Sequence, residues 1–341
     1  MSLVESAAQF ATHPYVSPYA FEPVQGRDAV RGEVALELDL RHAGRRELRV
    51  RYEAVGPAGA PAVLVAGGIS ADRHVIASGA FPQAGWWQAQ AGTFAGLRVI
   101  AIDWLGADGT LDAPIDSADQ ADAIAAVLDA LGVRTLAAFV GCSYGAMVGL
   151  QFAAHYGERL RHLVAISGAH RAHPYASAWR ALQRKIVALG QLQCAEDQGL
   201  SLARQLAILS YRTPQEFAER FDAAAVVDGA RARCASEDYL DACGSRFVER
   251  FDATAYTRLS ESIDLHSVDA SRIAVTTTVV AVEDDLLVPI ADCYALVEQV
   301  RADTQVRVLR SKFGHDAFLK EADAVAAILR PVFADCRGGA A

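Results

Sequence analysis

The chain has 341 residues, enough for one large domain carrying an insertion, or for two domains. A composition that is 52% hydrophobic and 21% charged is that of an ordinary globular enzyme and excludes a disordered chain. A formal net charge of −9 with no basic stripe makes nucleic acid an unexpected partner, although a local arginine or a helix N-terminus can still hold an anionic cofactor.

The opening stretch, Met1 to Ala20, has no cationic start followed by an apolar run, so no secretory leader is expected. No run of about eighteen apolar residues occurs, so no membrane span is expected either. The six cysteines, Cys142, Cys194, Cys234, Cys243, Cys293 and Cys336, show no paired CxxC spacing. They read as reduced thiols in a cytoplasmic protein, with neither a disulfide framework nor a metal site.

In chain order, Val34–Leu40 and Leu48–Val55 alternate apolar and polar residues around a turn at His42–Arg45, the pattern of an antiparallel hairpin at a sheet edge. Ala62–Ala66 and Leu97–Ile102 are short apolar runs of the kind found in buried central strands. Ser117 to Leu131 is a helix, with Ser117 as its cap, an apolar stripe at helical spacing and Gly132 at its end. A strand over Thr135–Val140, a helix from Ala146 to Tyr156 and a strand over Leu160–Ile166 follow. This βαβαβ rhythm predicts a doubly wound, mostly parallel sheet with helices on both faces.

The rhythm then stops. From 169 to 267 the patterns are helical and no strand is convincing. The core resumes with a strand over Thr276–Val282, a helix near Ala291–Val300, a strand over Gln305–Leu309 and a last helix after Phe318. The core is therefore expected over 1–168 and 268–341, with a helical insertion over 169–267 that is too long for a plain loop. An insertion placed over the carboxyl ends of the strands acts as a lid. The Gly-Gly-Ala-Ala end is expected to be disordered.

The strongest chemical signal is Gly141-Cys142-Ser143-Tyr144-Gly145, set between a strand and a helix. That is the setting of a nucleophile elbow in an α/β-hydrolase fold, with Ser143 projecting from a strained turn and the Tyr144 N–H aimed at the oxygen of a tetrahedral intermediate. A serine nucleophile needs a base and the base an orienter, which this fold supplies in the order Ser, Asp, His. His315 follows the strand Gln305–Leu309, and Asp284 and Asp285 follow Thr276–Val282. His155, His162 and His266 read as structural, while His74 lies in a loop that can approach the site. Gly67-Gly68-Ile69-Ser70 follows the strand that supplies the second oxyanion donor in this fold, and Ile69 is the residue chosen for it.

Four blocks of the chain resemble the homoserine O-acyltransferases, enzymes that acetylate or succinylate homoserine at the start of methionine synthesis. They are Leu48–Glu53 running through Gly68–His74 to Gly85-Trp86-Trp87; Gly141–Met147; a set within the insertion, from Leu209-Ser210-Tyr211-Arg212-Thr213 to Asp264-Leu265-His266; and Asp285–Pro289 with Phe313–Leu319. Together they span nearly the whole chain. The resemblance implies Ser143 as nucleophile, Asp285 as triad acid and His315 as base. It also implies Arg212 as the clamp on the amino acid's carboxylate, Asp316 as an acid near its amine, and a homodimer formed through the helical lid. The chain departs from the family where Cys142, Tyr144 and Ala146 replace residues of the common Gly-Gly-Ser-Met-Gly-Gly elbow, and where the segment before the elbow is cut to about Asp103–Pro114. These departures fall around the acyl pocket.

The expected reaction is a ping-pong transfer from acetyl-CoA or succinyl-CoA, a co-substrate rather than a bound cofactor, to the hydroxyl of homoserine. The alternatives are a serine O-acyltransferase, an esterase or thioesterase on the same triad, and a catalytically dead scaffold. Arg212 and Asp316 beside Ser143 would separate the acyltransferases from the esterases.

Overall fold

A computed structural model describes residues 29–338. The expectation about Met1–Ala20 lies outside the described residues, and of the C-terminal Gly-Gly-Ala-Ala only Gly338 falls within them.

The core is an eight-stranded sheet. Its strands are β1 (Ala29–Leu40), β2 (Gly44–Val55), β3 (Ala62–Ala66), β4 (Arg98–Ile102), β5 (Ala138–Cys142) and β6 (His162–Ile166), then β9 (Thr276–Val282) and β10 (Thr304–Leu309); the short strands β7 (Val226–Asp228) and β8 (Arg231–Arg233) lie outside it. The spatial order is β1-β2-β4-β3-β5-β6-β9-β10. The β1–β2 and β2–β4 pairings are antiparallel and the other five are parallel. Crossover helices bury both faces of the central strands, so every residue of β3 and β5 is buried. The edge hairpin has a wet face instead, where Glu33 of β1 pairs with Arg49 and Arg51 of β2.

The flanking helices are α1 (Ser117–Ala130) and α2 (Tyr144–His155) and, after the helical segment, α8 (Ile290–Gln299), α9 (Ala317–Lys320) and α10 (Ala322–Gly338). Two apolar cores result. One packs Ile124, Leu128, Phe152 and Leu296 of α1, α2 and α8 against one sheet face. The other packs Val325, Leu329 and Phe333 of α10 with Phe94 and Trp87 against the opposite face.

The elements fall within a few residues of the expected ones, and the shifts have physical causes. The cap of α1 is Asp116, not Ser117: the Asp116 carboxylate accepts from Ala118 N at 2.9 Å, and Asp119 reaches back to Asp116 N at 2.7 Å. Ser117 instead bonds His266 Nδ1 at 2.7 Å. The His266 Nε2–H donates to Ala169 O at 3.0 Å, so Nδ1 is the acceptor of the serine hydroxyl. Burial pushes the His266 pKa down to about 4, which keeps the ring in this neutral tautomer. The strand before the elbow begins at Ala138 rather than Thr135 and runs to Cys142, and α2 begins at Tyr144 rather than Ala146.

Between β6 and β9 the chain forms α3 (Pro174–Leu192), α4 (Glu196–Tyr211), α5 (Pro214–Arg220), α6 (Ala235–Val248) and α7 (Ala253–Leu265). A short antiparallel ribbon of β7 (Val226–Asp228) and β8 (Arg231–Arg233), turning at Gly229, interrupts them. Three residues per strand are too few for an alternation to show in sequence. The segment has a small core of its own, built from Val187, Leu200, Ala203, Phe247 and Tyr256.

Candidate active site

Ser143 sits at the junction of β5 and α2 with φ 57° and ψ −119°, a conformation strained for a residue with a Cβ. The flanking glycines make the turn possible. A Cβ on Gly141 would lie 2.2 Å from Gly145 O, and one on Gly145 would lie 2.2 Å from Ala66 O of β3. Tyr144 is the first residue of α2, so its N–H has no intrahelical acceptor and carries the positive end of the helix dipole.

The loops after β9 and β10 meet this serine. His315 Nε2 lies 2.7 Å from Ser143 Oγ, and His315 Nδ1 lies 2.7 Å from Asp285 Oδ2. The carboxylate accepts a hydrogen bond from Nδ1–H, which leaves Nε2 as the acceptor of the serine hydroxyl. Asp285 Oδ1 is held in turn by the N–H groups of Leu287 at 2.8 Å and Val288 at 3.0 Å. Asp285 is buried, whereas Asp284 is exposed. Burial alone would lower the His315 pKa, but the charge and hydrogen bond of Asp285, reinforced by the charge of Asp316, outweigh it and leave the pKa raised. Cys142, beside the serine, is fully buried, and burial holds its thiol well above the ordinary range.

These groups open into a cavity of about 400 Å³. Gly68, Ile69, Tyr144, Arg212, Asp316 and Lys320 are among its lining residues. The Gly68 carbonyl is pinned by Ala71 N at 2.9 Å and Trp104 Nε1 at 3.1 Å, while the Ile69 N–H has no backbone acceptor among the described residues. Arg212 stands in extended backbone between α4 and α5. Its Nε pairs with Asp316 Oδ2 at 2.7 Å and its Nη1 with Glu216 Oε1 at 2.6 Å. Next to it the Thr213 hydroxyl donates to Lys312 O, tying the helical segment to the loop that carries His315. A larger groove of about 800 Å³ adjoins the cavity and shares Ile69, Ser70, Ala71 and Arg250 with it, but it contains none of the Ser–His–Asp set.

All seven residues singled out in the sequence thus line the cavity or, like Asp285, support a residue that does. His74 does not join them. Its Nδ1 pairs with the buried Glu53 at 2.9 Å and its Nε2 donates to Gln83 O at 2.8 Å, a structural tie beneath the edge hairpin. Several lining residues were given no role by sequence reasoning, among them Ser167, Arg204 and Arg250. Ser167 follows β6 with φ 51° and a buried hydroxyl that has no hydrogen-bond partner among the described residues, at the carboxyl end of a strand, where this topology places its sites. The two arginines belong to the helical segment; Arg250 lies within the part of it that carries the family resemblance, but no role attaches to it there. Tyr144 also has a second role. Its hydroxyl bonds Ser262 of α7 at 2.6 Å and its ring packs edge-on against Trp104 at 5.0 Å, so this side chain joins the elbow to the helical segment.

The doubly wound sheet, the strained elbow serine and its histidine–aspartate relay define an α/β hydrolase, and the family model for the alpha/beta hydrolase fold matches residues 61–322. A homoserine O-succinyltransferase of Xanthomonas campestris pv. campestris is 60% identical over 334 residues, covering 96% of this chain and 90% of that protein. A homoserine O-acetyltransferase of Clavibacter michiganensis subsp. michiganensis is 32% identical, covering 84% of this chain and 88% of its own. The chain belongs to the homoserine O-acyltransferase family and is an acyltransferase. Among solved structures, the homoserine O-acetyltransferase from Bacillus anthracis superposes with a TM-score of 0.81 at 15% identity, covering 89% of this chain and 97% of that one. Esterase E22 superposes at 0.75 and 16% identity, over 89% and 100% of the two chains. At such identities these likenesses speak for the fold alone.

Proposed function

We propose that the chain transfers an acetyl or succinyl group from its CoA thioester to the side-chain hydroxyl of homoserine through an acyl-serine at Ser143. His315 takes the Ser143 proton as Oγ attacks the thioester carbonyl. The developing oxyanion rests on the N–H groups of Tyr144 and Ile69. The C–S bond breaks and the CoA thiolate leaves with the proton from His315. Homoserine then enters, His315 takes the proton of its hydroxyl, and the new ester forms as Ser143 Oγ leaves and is reprotonated. Asp285 holds the ring in the required tautomer throughout.

The observation that carries this reading is the pairing of Arg212 with Asp316 in the same cavity as Ser143. One guanidinium beside one carboxylate is complementary to an amino-acid zwitterion, which a plain esterase has no need to bind. The 169–267 segment serves as the lid that excludes water, so that the acceptor and not solvent meets the acyl-serine. Among the described residues no helix is long and apolar enough to cross a membrane, and the six cysteines are free thiols, which supports a cytoplasmic site of action. The decisive test is a matrix of acetyl-CoA and succinyl-CoA against homoserine and serine, following thiol release, with mass spectrometry of the enzyme. Acylation of Ser143 and discharge by homoserine support the proposal. Discharge by water alone would make the protein an esterase, and an adduct on Cys142 would overturn the mechanism.

A further inference from the structure

The net charge of the chain is −9, yet the cavity around Ser143 is lined by Arg180, Arg204, Arg212, Arg250 and Lys320 against the single carboxylate of Asp316. Some of that positive charge is neutralised within the protein. Arg180 pairs with Asp264 at 2.7 Å, and Arg212 pairs with Glu216 and Asp316. Lys320 is exposed and makes no ion pair among the described residues, but it stands in the field of these same two acids. Arg204 and Arg250 differ from the other two arginines: among the described residues neither has a carboxylate within ion-pair distance.

Arg204 is held by rings. Its guanidinium carbon lies 4.8 Å from the centre of Phe247 and 5.4 Å from that of Tyr211. Rings fix a guanidinium in place without cancelling its charge. The Tyr211 ring is in turn 6.1 Å from the ring of His315, so Arg204 stands one side chain away from the Ser–His pair. Arg250, after α6, lines the same cavity and is itself exposed to solvent. The protein packed around Arg250 and the like charge of Arg204 both lower its pKa, and Asp72 opposes them only through space. Two cations that line one cavity without a carboxylate partner are a binding site for an anion.

We propose that Arg204 and Arg250 receive the distal carboxylate of a dicarboxylic acyl group, so that the enzyme favours a succinyl over an acetyl thioester. The assignment rests on the acyl-serine reading of Ser143. A succinyl group on Ser143 carries its free carboxylate two methylenes beyond the ester carbonyl, outward into the cavity where the two guanidiniums lie. An acetyl group puts only a methyl there and leaves both cations unpaired. A site built to bind a polar group discriminates against the analogue that lacks it far better than an apolar pocket does.

Phosphates of the CoA moiety are the other anions within reach, and Arg250 also lines the neighbouring groove. The test separates the two. Specificity constants are measured for succinyl-CoA and acetyl-CoA with the full chain, Arg204→Gln, Arg250→Gln and Arg250→Lys, at saturating homoserine. The unmodified chain should favour succinyl-CoA. Each Gln variant should lower the succinyl-to-acetyl ratio by about ten- to a hundredfold, the scale for hydrogen bonds to a charged group, with partial recovery in Arg250→Lys. Because the ratio is taken within one preparation, loss of folded protein cancels. If both donors decline together, the arginines hold the CoA phosphates or brace the lid, and the proposal fails while acyl transfer stands. Preference of the unmodified chain for acetyl-CoA also defeats it. Consumption of neither donor defeats the acyl-transfer reading as well.

Discussion

Asp284 and Asp285 are adjacent, share one residue type and follow the same strand, yet the structure treats them oppositely. Asp285 turns inward to His315 and is fixed by two backbone N–H groups, while Asp284 faces solvent. Asp285→Asn should therefore lower the transfer rate by about 10⁴-fold, as loss of the tautomer-fixing carboxylate does in serine proteases, whereas Asp284→Asn should leave most of it. Steady-state rates of the two variants check this, and the reverse ranking would reassign the triad acid. The same carboxylate sets a pH dependence. His315 must be neutral to take the serine proton, and its pKa is raised above the ordinary 6.5. The acylation rate should thus fall as the pH drops through a midpoint above 6.5. In Asp285→Asn, burial loses its main opponent and the midpoint should move down. A pH profile of single-turnover thiol release measures both, and a limb at or below the ordinary value in the unmodified chain would contradict the charge balance described.

The elements that matter most are the two that meet at Arg212. Thr213 caps α5 by accepting from Glu216 N at 3.2 Å, and Pro214 bars a helical conformation at Thr213, so α4 cannot run on into α5. Arg212 is left in the extended break with its side chain free to turn into the cavity. If this break presents the acceptor clamp, Arg212→Lys keeps the charge and loses the fork. Homoserine binding should weaken by about 2 kcal/mol. The signature is a raised KM for homoserine with the thiol-release burst retained, and wild-type steady-state kinetics would reduce Arg212 to a brace between Glu216 and Asp316. The elbow shows the same dependence on neighbouring elements. Its glycines are required by the carbonyl oxygens of Gly145 and of Ala66 on the adjoining strand, contacts that exist only once β3, β5 and α2 are packed.

At the scale of the whole molecule, the helical segment leaves apolar surface uncovered. Tyr175, Leu182 and Leu189 on α3 are 54%, 51% and 60% exposed, and Leu192 at its end is 82% exposed. The first three are spaced two helical turns apart and share one face, so they form a stripe of the kind that seals a helix–helix contact between subunits. We propose that the protein dimerises through this face of the lid. Leu182→Glu combined with Leu189→Glu should give a monomer by sedimentation at concentrations where the unmodified chain is a dimer. A monomeric unmodified chain, or a variant that still dimerises, would remove the face from consideration.

Much of this was legible in the sequence, because the central strands are short apolar runs and the outer helices have clear stripes, patterns fixed by burial on two faces and on one. The elbow was legible because strand, small residues and helix are contiguous. So were His315 and the acidic pair, since the fold delivers each at a strand end. Sequence could not decide between Asp284 and Asp285 without the family resemblance, nor find Asp116 as the cap of α1, because the direction of a side chain depends on what packs around it. It gave no role to Arg204, Arg250 or Ser167. No local pattern marks an arginine whose distinction is the lack of a nearby carboxylate, or a serine whose hydroxyl is buried without a partner. Those are properties of the assembled cavity, where helices far apart in the chain fix which charges are cancelled and which are left to meet a substrate.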